Sequence, residues 1–183
     1  MNTSKNNQLV YWTHLIHGNW DIYLAATEKG LCYVGSQNQS SDELFYWTLQ
    51  HLPNYVLVQD EEKVKPYANE LMEYFQGERQ TFTIPVDLHG TPFQLSIWDA
   101  LCNIPYGQTY SYSDIANHIG KPNAVRSVGS AIGANSVLIA VPCHRVIGKN
   151  GALTGYRGGL KMKMKLLSLE KERSNVERKT TNA

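Results

Sequence analysis

The sequence has few cysteines, no long apolar run and no clustered metal ligands, and each shortage excludes a class of protein. Its 183 residues include only three cysteines. This odd number at wide spacing excludes a disulfide framework and favours reduced thiols in a cytoplasmic protein. No apolar run approaches the length of a membrane span, and the polar residues 1–8 contain no apolar signal-peptide core. We expect no bound metal, because the histidines of the first half lack metal-ligand spacing: His14, His17, His51 and His89.

Charge is unevenly divided between the two halves of the chain. Residues 1–90 contain five Lys and Arg against eleven Asp and Glu, whereas residues 91–183 contain twelve against five. The net charge of +1 therefore hides an acidic first half and a basic second half. This asymmetry is typical of a nucleic-acid-binding module attached to a helper domain, although chance unevenness with a basic tail would look the same.

The first 88 residues have the pattern of an α+β domain. Three runs rich in β-branched and aromatic residues, separated by turns, predict an antiparallel sheet. Two amphipathic helices and a further strand follow. Nothing in this pattern is catalytic, so we expect residues 1–88 to form a helper domain. The predicted elements are strands Val10–His17, Trp20–Thr27 and Leu31–Gly35, helices Ser41–Leu52 and Glu61–Phe75, and strand Thr81–Leu88.

Residues 91–173 have a mostly helical pattern. Apolar residues at helical spacing follow Pro92, and a later helix is predicted to end at Gly120. Pro122 would begin the next helix, which extends to about Gly133. Two short helices with a tight break between them predict a helix-turn-helix. Residues 174–183 are predicted to be a disordered tail.

The stretch Val137–Val146 contains the strongest chemical pattern. Its five apolar residues predict a short buried strand, and Pro142, which has no N–H, would end its pairing. Cys143 then lies at the end of a rigid element and is followed by His144 and Arg145. A buried cysteine more often packs as a small apolar side chain. The two ionisable neighbours, and the glycine-rich loop downstream at residues 155–159 (the glycine loop), favour a nucleophile instead.

Two motifs carry a resemblance to a known family. Pro-Cys-His-Arg-Val at 142–146, followed by Gly-Tyr-Arg-Gly-Gly-Leu at 155–160, resembles the O6-alkylguanine-DNA alkyltransferases, closely over residues 91–173 and in outline before them. The resemblance implies a DNA repair protein that moves an alkyl group from guanine O6 to its own Cys143, once per molecule and without a cofactor. It also implies an RNase H-like N-terminal domain and a C-terminal winged helix-turn-helix-like domain. Some members hold a structural zinc, but no matching ligand set can be assembled here.

For the chemistry, the resemblance implies a proton relay. Cys143 would pass its proton through a water to His144, and Glu170 on the last helix would orient the imidazole and stabilise its charged form. Spacing alone leaves open that Glu170 is a solvated charge near a helix end. Asn135 matches an asparagine whose amide braces the active-site turn. The candidate catalytic residues are Cys143, His144, Glu170 and Asn135.

The residues expected to bind the substrate surround the same loop. The resemblance matches Tyr112 to a tyrosine that donates to guanine N3 and places backbone groups near Val146 at the exocyclic amine. It sets the backbone of Tyr156 and Arg157 opposite O6, and Leu138 would line the mouth of the pocket. Arg157 stands where certain members have a serine that also bonds O6, so that side-chain contact is left open.

The second helix of the predicted helix-turn-helix has an apolar stripe and an opposite face of small residues around Arg126. Such a face lets the backbone approach another surface closely, although a helix packed on a neighbouring helix would look similar. The resemblance implies that this helix enters the minor groove of DNA, with the arginine filling the gap left by a flipped base. The expected DNA-binding residues are Arg126, Ser127, Ser130 and Ala134.

Three other functions were compared with this hypothesis. A cysteine hydrolase could use Cys143, His144 and Glu170, with the glycine loop supplying oxyanion donors, but the helix-turn-helix would be unexplained. A non-catalytic binder of alkylated DNA would fit the fold, yet relatives of that kind lack the cysteine. A transcription regulator would need a recognition face richer in Asn, Gln and Arg. We therefore expect a monomer that acts on double-stranded DNA containing O6-alkylguanine, with O4-alkylthymine left open as a second substrate.

Overall fold

The N-terminal half is built on a four-stranded sheet. The computed structural model describes residues 7–182; residues 1–6 and Ala183, which belong to the predicted first domain and tail, lie outside the described residues. The strands are β1 (Gln8–His17), β2 (Trp20–Thr27), β3 (Gly30–Val34) and β4 (Tyr55–Gln59). Their order is β3-β2-β1-β4.

The predicted antiparallel arrangement is confirmed for the first three strands, but the sheet is mixed. β1 pairs antiparallel with β2, and β2 pairs antiparallel with β3. β4 was not predicted, and it pairs parallel to β1, with Gln8 opposite Tyr55. The alternation that marks a half-buried strand is weak in β4, because none of its five residues is fully buried. β3 is the opposite case: all five of its residues are buried.

Two helices follow the predicted positions closely. They are α1 (Asp42–His51) and α2 (Glu61–Phe75), and α2 packs on β1 and β2. The side chain of Asp60 accepts a hydrogen bond from the backbone N–H of Lys63 (3.1 Å), which satisfies one unpaired donor of the first turn. The apolar stripe of α2 is buried against the sheet, as its spacing predicted.

The predicted strand over residues 81–88 is wrong. This segment makes only an isolated bridge between Val86 and Leu31, with hydrogen bonds from Leu31 N to Pro85 O (3.0 Å) and from Asp87 N to Leu31 O (2.8 Å). Pro85 has no N–H to give to a ladder. The N–H of Thr83 donates to the carboxylate of Glu70 (2.9 Å) instead of to a strand. The segment is therefore extended but held mainly by a side chain of α2.

The C-terminal half is helical around a two-stranded sheet. Its elements are α3 (Pro92–Cys102), β5 (Tyr110–Ser111), α4 (Tyr112–His118), α5 (Val125–Gly133), β6 (Val146–Ile147) and α6 (Leu160–Thr181). Reciprocal capping bonds between Thr91 and Gln94 begin α3, and the same arrangement between Ser111 and Asp114 begins α4. α5 begins at Val125, three residues after Pro122, because Pro122 lies in a turn that the bond from Ala124 N to Lys121 O (2.9 Å) closes. α4 and α5 pack together as the predicted helix-turn-helix, and the α+β class is confirmed.

One hydrophobic core runs through both halves. Leu24 and Leu71 of the first half belong to the same buried cluster as Trp98, Val137 and Leu166 of the second. A smaller cluster lies on the other face of the sheet, under α1. Because burial of apolar area is the main stabilising term, the halves stabilise one another. The active-site turn is consequently packed from both sides.

The predicted disordered tail is wrong for the residues that the structure describes. α6 continues to Thr181. Its last turns are held to the first half by hydrogen bonds from Arg173 Nη2 to Gln76 O (2.7 Å) and from Gln80 Nε2 to Glu177 Oε1 (2.5 Å). A polar composition predicted disorder, but these long-range contacts stabilise the helix. Although α6 has 22 residues, neither it nor any other helix in residues 7–182 is apolar enough to cross a membrane.

Candidate active site

The segment before the candidate nucleophile is a closed turn and not the predicted strand. We call residues 135–142 the active-site turn. The N–H of Val141 donates to Val137 O (3.1 Å), and Ile139 has a φ of 72°, in the left-handed region that β-branched residues rarely adopt. The side chain of Asn135 accepts from Val137 N (2.9 Å) and donates to Val141 O (3.1 Å). Backbone groups that a strand would have used are thereby paired within the turn. The bracing role expected for Asn135 matches this geometry.

Cys143 begins a short 3₁₀ turn, Cys143–Arg145, directly after Pro142. Its side chain is buried, with 3% of the residue exposed. Its Sγ accepts a hydrogen bond from Asn135 Nδ2 (3.2 Å). Burial raises the pKa of the thiol, and the bond from Asn135 and the nearby cations Arg157 and Lys163 offset this only in part. The thiol is therefore protonated at neutral pH, and its reaction requires a base.

His144 has the protonation state that a base requires. It is fully buried, and its Nε2 lies 2.7 Å from Glu170 Oε1. Burial lowers the pKa of the imidazole, although Glu170 raises it in part. Because an ionised carboxylate can only accept, we assign the proton of the neutral ring to Nε2. Nδ1 then carries a lone pair, and it has no hydrogen-bond partner within residues 7–182.

Glu170 is the most heavily bonded charge at the site. It accepts from His144, from Tyr74 Oη (2.7 Å), from Gly107 N (3.2 Å), and from Nε and Nη2 of Arg145 (2.9 and 2.8 Å). Burial alone would raise the pKa of this carboxyl, but the hydrogen bonds from His144 and Arg145 outweigh burial and lower it to about 2. The carboxylate is consequently charged at all ordinary pH values. The alternative of a solvated helix-end charge is wrong, because only 1% of Glu170 is exposed.

Sequence reasoning missed two of these donors. Arg145 was part of the recognised motif but received no role; it also donates from Nη1 to Ile104 O (2.7 Å). Because Arg145 directly follows two candidate catalytic residues, it could have been predicted to pair with the candidate carboxylate Glu170. Tyr74 belongs to the first half, 96 residues before Glu170. Its apolar neighbours in α2 predict a core residue, and no local pattern indicates its contact with the relay.

The substrate-side residues lie around the same loop, together with a buried lysine that sequence reasoning missed. Tyr112 Oη donates to Thr154 O (3.0 Å). Lys163 has no exposed surface, and its Nζ donates to the carbonyl oxygens of Val146 (2.6 Å) and Thr154 (2.9 Å). The hydroxyl of Tyr156 is buried and has no hydrogen-bond partner within the described part of the chain. Leu138 is fully buried in the closed turn.

The side chain of Arg157 finds its partners in the first half and in the backbone around Asn135. Its guanidinium points into the crevice between the halves, where it bonds Asn135 O and Val34 O and pairs with Glu43. The contact between this side chain and O6, which the resemblance left open, has no support in these partners, because they take up the donors of the guanidinium. Only its backbone can face the substrate, and that contact stays a prediction.

The expected DNA-binding residues share one exposed face of α5. Val128, Ala131 and Ile132 form the buried stripe. On the opposite side the small residues leave the helix backbone accessible, and Tyr112 lies against Gly129 at the edge of this face. No salt bridge involves Arg126 in the described chain. The exposed face consists of Arg126, Ser127, Ser130, Gly133 and Ala134.

Metal ligands are not gathered anywhere in residues 7–182. No three His, Cys, Asp or Glu side chains within this range form a group that could hold a metal ion. His14 and His51 bond Asp21 and a backbone carbonyl oxygen, respectively.

Comparison with known proteins agrees with this arrangement over nearly the whole chain. Residues 10–88 match the family model described as "6-O-methylguanine DNA methyltransferase, ribonuclease-like domain", and residues 92–172 match "6-O-methylguanine DNA methyltransferase, DNA binding domain". The inducible methylated-DNA–protein-cysteine methyltransferase of Bacillus subtilis is 59% identical over 170 residues, which cover 93% of this chain and 95% of that protein. A methylated-DNA–protein-cysteine methyltransferase of Mycobacterium bovis is 54% identical over 110 residues, covering 60% of this chain and 67% of that protein.

A solved structure shows the same fold. The crystal structure of Mycobacterium tuberculosis OGT in complex with DNA has a TM-score of 0.77 and 39% sequence identity, and the match covers 89% of this chain and 94% of that one. The identity to the B. subtilis protein extends over almost the full length of both chains, and two adjoining family models cover most of this sequence. Together these matches show the family. This chain belongs to the 6-O-methylguanine DNA methyltransferase family.

Proposed function

We propose that this protein repairs DNA by transferring an alkyl group from guanine O6 in duplex DNA to the Sγ of its own Cys143. The observation that carries the proposal is a buried thiol next to a buried neutral histidine whose Nε2 is held 2.7 Å from an ionised glutamate. The B. subtilis relative is named for transfer from methylated DNA to a protein cysteine. The residue roles below are part of the same proposal.

The first step creates the nucleophile. The proton of the Cys143 thiol passes through one water molecule to Nδ1 of His144, the ring nitrogen that has no hydrogen-bond partner in the described residues 7–182. Glu170 stabilises the resulting imidazolium through its contact with Nε2, and Arg145 keeps the carboxylate ionised. The relay resolves the problem of the raised thiol pKa, because the thiolate forms only where its proton has an acceptor.

The second step is a direct displacement. The thiolate forms a bond to the alkyl carbon, the bond from that carbon to guanine O6 breaks, and its electron pair goes to the purine. Tyr112 donates a proton at guanine N3, which makes guanine a better leaving group, and the proton that His144 took from Cys143 then returns through water to the tyrosinate. Backbone groups at Val146, Tyr156 and Arg157 hold the base, and Leu138 packs at the pocket. A thioether is a stable bond, so each molecule of the protein reacts once.

A base inside a duplex cannot reach a buried thiol, so the nucleotide must leave the stack. The exposed face of α5 is suited to the minor groove, since its small side chains allow close approach to DNA. Arg126 then occupies the gap left by the extruded base, with Ser127, Ser130 and Ala134 against the backbone. The basic residues of the second half supply general attraction to phosphates.

The same proposal includes the organisation of the chain. Residues 1–88 act as a helper domain and residues 91–173 as the DNA-binding and acceptor domain, in one monomer in the cytoplasm. Neither a hydrolase nor a non-catalytic binder accounts for both the buried thiol and the exposed face of α5. Sedimentation of the protein at micromolar concentration would test the monomer.

Mass spectrometry after incubation with duplex DNA containing O6-methylguanine tests the function. We expect one added methyl group per molecule, on the peptide that contains Cys143, and none on Cys143→Ser. Methylation of Cys32 or Cys102, or repeated turnover by one molecule, would disprove the proposal.

A further inference from the structure

The side chain of Arg157 joins three parts of the molecule. Nε donates to Asn135 O (2.9 Å), and Nη2 donates to Ser136 O (3.0 Å) and to Val34 O (2.5 Å). Nη1 lies 2.6 Å from Glu43 Oε1. Its donors therefore bind the active-site turn, the end of β3 and the first turn of α1 together, while its own backbone belongs to the glycine loop. The expected substrate residue is a connector between the halves.

The partners of Arg157 in the first half are themselves fixed. Glu43 also accepts from Ser36 Oγ (2.7 Å), and the Arg157 guanidinium lies 5.1 Å from the centre of the Tyr33 ring. The end of β3 docks onto the active-site turn through a bond from Val34 N to Ser136 O (2.9 Å). Arg157 thus reinforces a junction where the two halves already share backbone hydrogen bonds.

This junction and the hydrogen bond to the thiol share one residue, Asn135. Arg157 holds the carbonyl oxygen of Asn135, and the side chain of the same asparagine donates to Cys143 Sγ. Arg157 also follows Tyr156 in the glycine loop, and the hydroxyl of Tyr156 is buried. A shift of the guanidinium would move the asparagine and the glycine loop together. Burial raises the pKa of Cys143 and is the largest effect. The hydrogen bond from Asn135 and the positive charge of Arg157 both lower this pKa and offset part of the increase.

We propose that Arg157 and Glu43 form a latch through which the N-terminal half positions Asn135 and the glycine loop around the acceptor thiol. The inference rests on the proposed alkyl transfer and adds to it two positioning residues, one from each half. The planar guanidinium is essential, because it donates in four directions at fixed angles, whereas a lysine provides one mobile point charge. Neither residue contacts the substrate through its side chain.

The test compares Arg157→Met, Arg157→Lys and Glu43→Gln with the unmodified protein. The rate of methyl transfer from O6-methylguanine duplex DNA should fall by about tenfold to a hundredfold in Arg157→Met, the size of effect that small displacements at a reacting centre produce. Arg157→Lys should recover little of this rate, and Glu43→Gln should lose several-fold. The affinity for unmodified duplex DNA should stay within about twofold in all three, since the latch lies away from α5.

A second readout separates positioning from a general loss of structure. The pH midpoint for alkylation of Cys143 by iodoacetamide, followed on its peptide, should move upward in Arg157→Met because a cation near the thiolate is lost. Arg157→Lys keeps the charge and should keep the midpoint, although its transfer stays slow. The double variant Glu43→Gln with Arg157→Met should transfer no more slowly than Arg157→Met alone, since one latch is broken in both.

The chain offers a matched control in the first half. Arg79 lies 2.6 Å from Glu73, pairs with Glu70 and bonds Thr81 O, and among the described residues it makes no hydrogen bond or salt bridge to the active-site turn. Arg79→Met should leave transfer and the pH midpoint unchanged. The latch is disproved if Arg157→Met transfers within twofold of the unmodified protein, if Arg79→Met is equally slow, or if the losses at Glu43 and Arg157 multiply.

Two further results are decisive. If Arg157→Met does not fold, normal transfer by both Arg157→Lys and Glu43→Gln overturns the latch, and slow transfer by both supports it. If the unmodified protein transfers no methyl group, the proposed function fails. The iodoacetamide midpoints then still decide whether Arg157 acts on the thiol.

Discussion

The two functional regions of this protein differ in how their polar groups are paired. Around Glu170 both carboxylate oxygens are bonded, by an imidazole, a guanidinium, a phenol and a backbone N–H, and the side chains among these groups are almost fully buried. On the outer face of α5, Arg126 is exposed and makes no salt bridge within residues 7–182. A saturated buried network rigidifies its members, whereas an unpaired exposed cation keeps its donors for a partner. Under the proposed function, the buried region would carry the chemistry and the exposed face of α5 the recognition of DNA.

The largest expected effect comes from breaking the buried region. His144→Ala and Glu170→Gln should each slow methyl transfer by about two to four orders of magnitude, since they remove a general base or its stabilisation. The double variant should be little slower than either single one, because both act in one relay. Single-turnover rates on methylated duplex DNA measure this.

The pH dependence provides a second check on the relay. In His144→Ala the remaining rate should rise with pH beyond 9, because burial raises the thiol pKa above that usual value. His51→Ala, which removes an exposed histidine of α1, is the control and should behave as the unmodified protein. Losses at His144 and Glu170 that multiply would contradict a common relay.

The exposed region should respond differently to the two forms of substrate. Arg126→Ala should slow transfer from duplex DNA by about tenfold to a few hundredfold, because filling the gap offsets part of the few kcal/mol that flipping costs. Transfer from free O6-benzylguanine requires no flipping and should change by less than about twofold. Arg178→Ala removes an equal charge from α6 and serves as the control. An equal loss on both substrates would show that Arg126 supports the fold and not base flipping.

Stability should depend on pH through the buried region. Glu170 has a pKa of about 2 in place of the usual 4.5. Because this pKa is lower in the folded state, its contribution is complete above about pH 4.5 and is lost as the pH falls towards 2; it amounts to about 3 kcal/mol. Urea unfolding between pH 7 and pH 3 should show this loss, and the loss should be smaller in Glu170→Gln. The stability of Arg126→Ala should depend on pH in the same way as that of the unmodified protein. If the stability of the unmodified protein did not change between pH 7 and pH 3, the lowered pKa of Glu170 would be contradicted.

The smallest effect is expected from a polar residue on the exposed face. Ser130 Oγ donates to Arg126 O (3.3 Å), one turn earlier in the same helix. Ser130→Ala should change the free energy of unfolding by less than about 0.5 kcal/mol, as exposed substitutions generally do. Transfer from duplex DNA should change by less than about twofold, since alanine keeps the face small. A tenfold loss would show that the hydroxyl itself contacts DNA.

Local patterns explain most of the correct predictions about the fold. β1, β2, α1 and α2 begin and end within two residues of the predicted positions, because their apolar periods and caps are encoded in consecutive residues. The errors occur where a distant group replaces the local partner. Thr83 bonds Glu70, and the polar end of α6 is fixed by Gln76 and Gln80.

The same division holds at the candidate site. Cys143, His144 and Glu170 were identified from a specific motif and a resemblance, and the structure brings all three together. Arg157 was predicted to bind the substrate, yet its guanidinium forms an ion pair with Glu43, which lies 114 residues earlier in the sequence. No period or spacing near Arg157 indicates where so long a side chain will point, since it can rotate to whichever acceptors the fold presents.

The sequence by itself indicated the candidate nucleophile, the α+β class and the helix-turn-helix, because a Pro-Cys-His-Arg motif and helical or strand periods are properties of neighbouring residues. Only the tertiary structure decided that Tyr74 and Arg145 bind Glu170, that Asn135 reaches the thiol, and that Arg157 faces the first half. Those contacts depend on one hydrophobic core packing both halves against the active-site turn. A buried charge takes its partners from the groups that packing leaves within hydrogen-bond distance, and those groups come from every part of the chain.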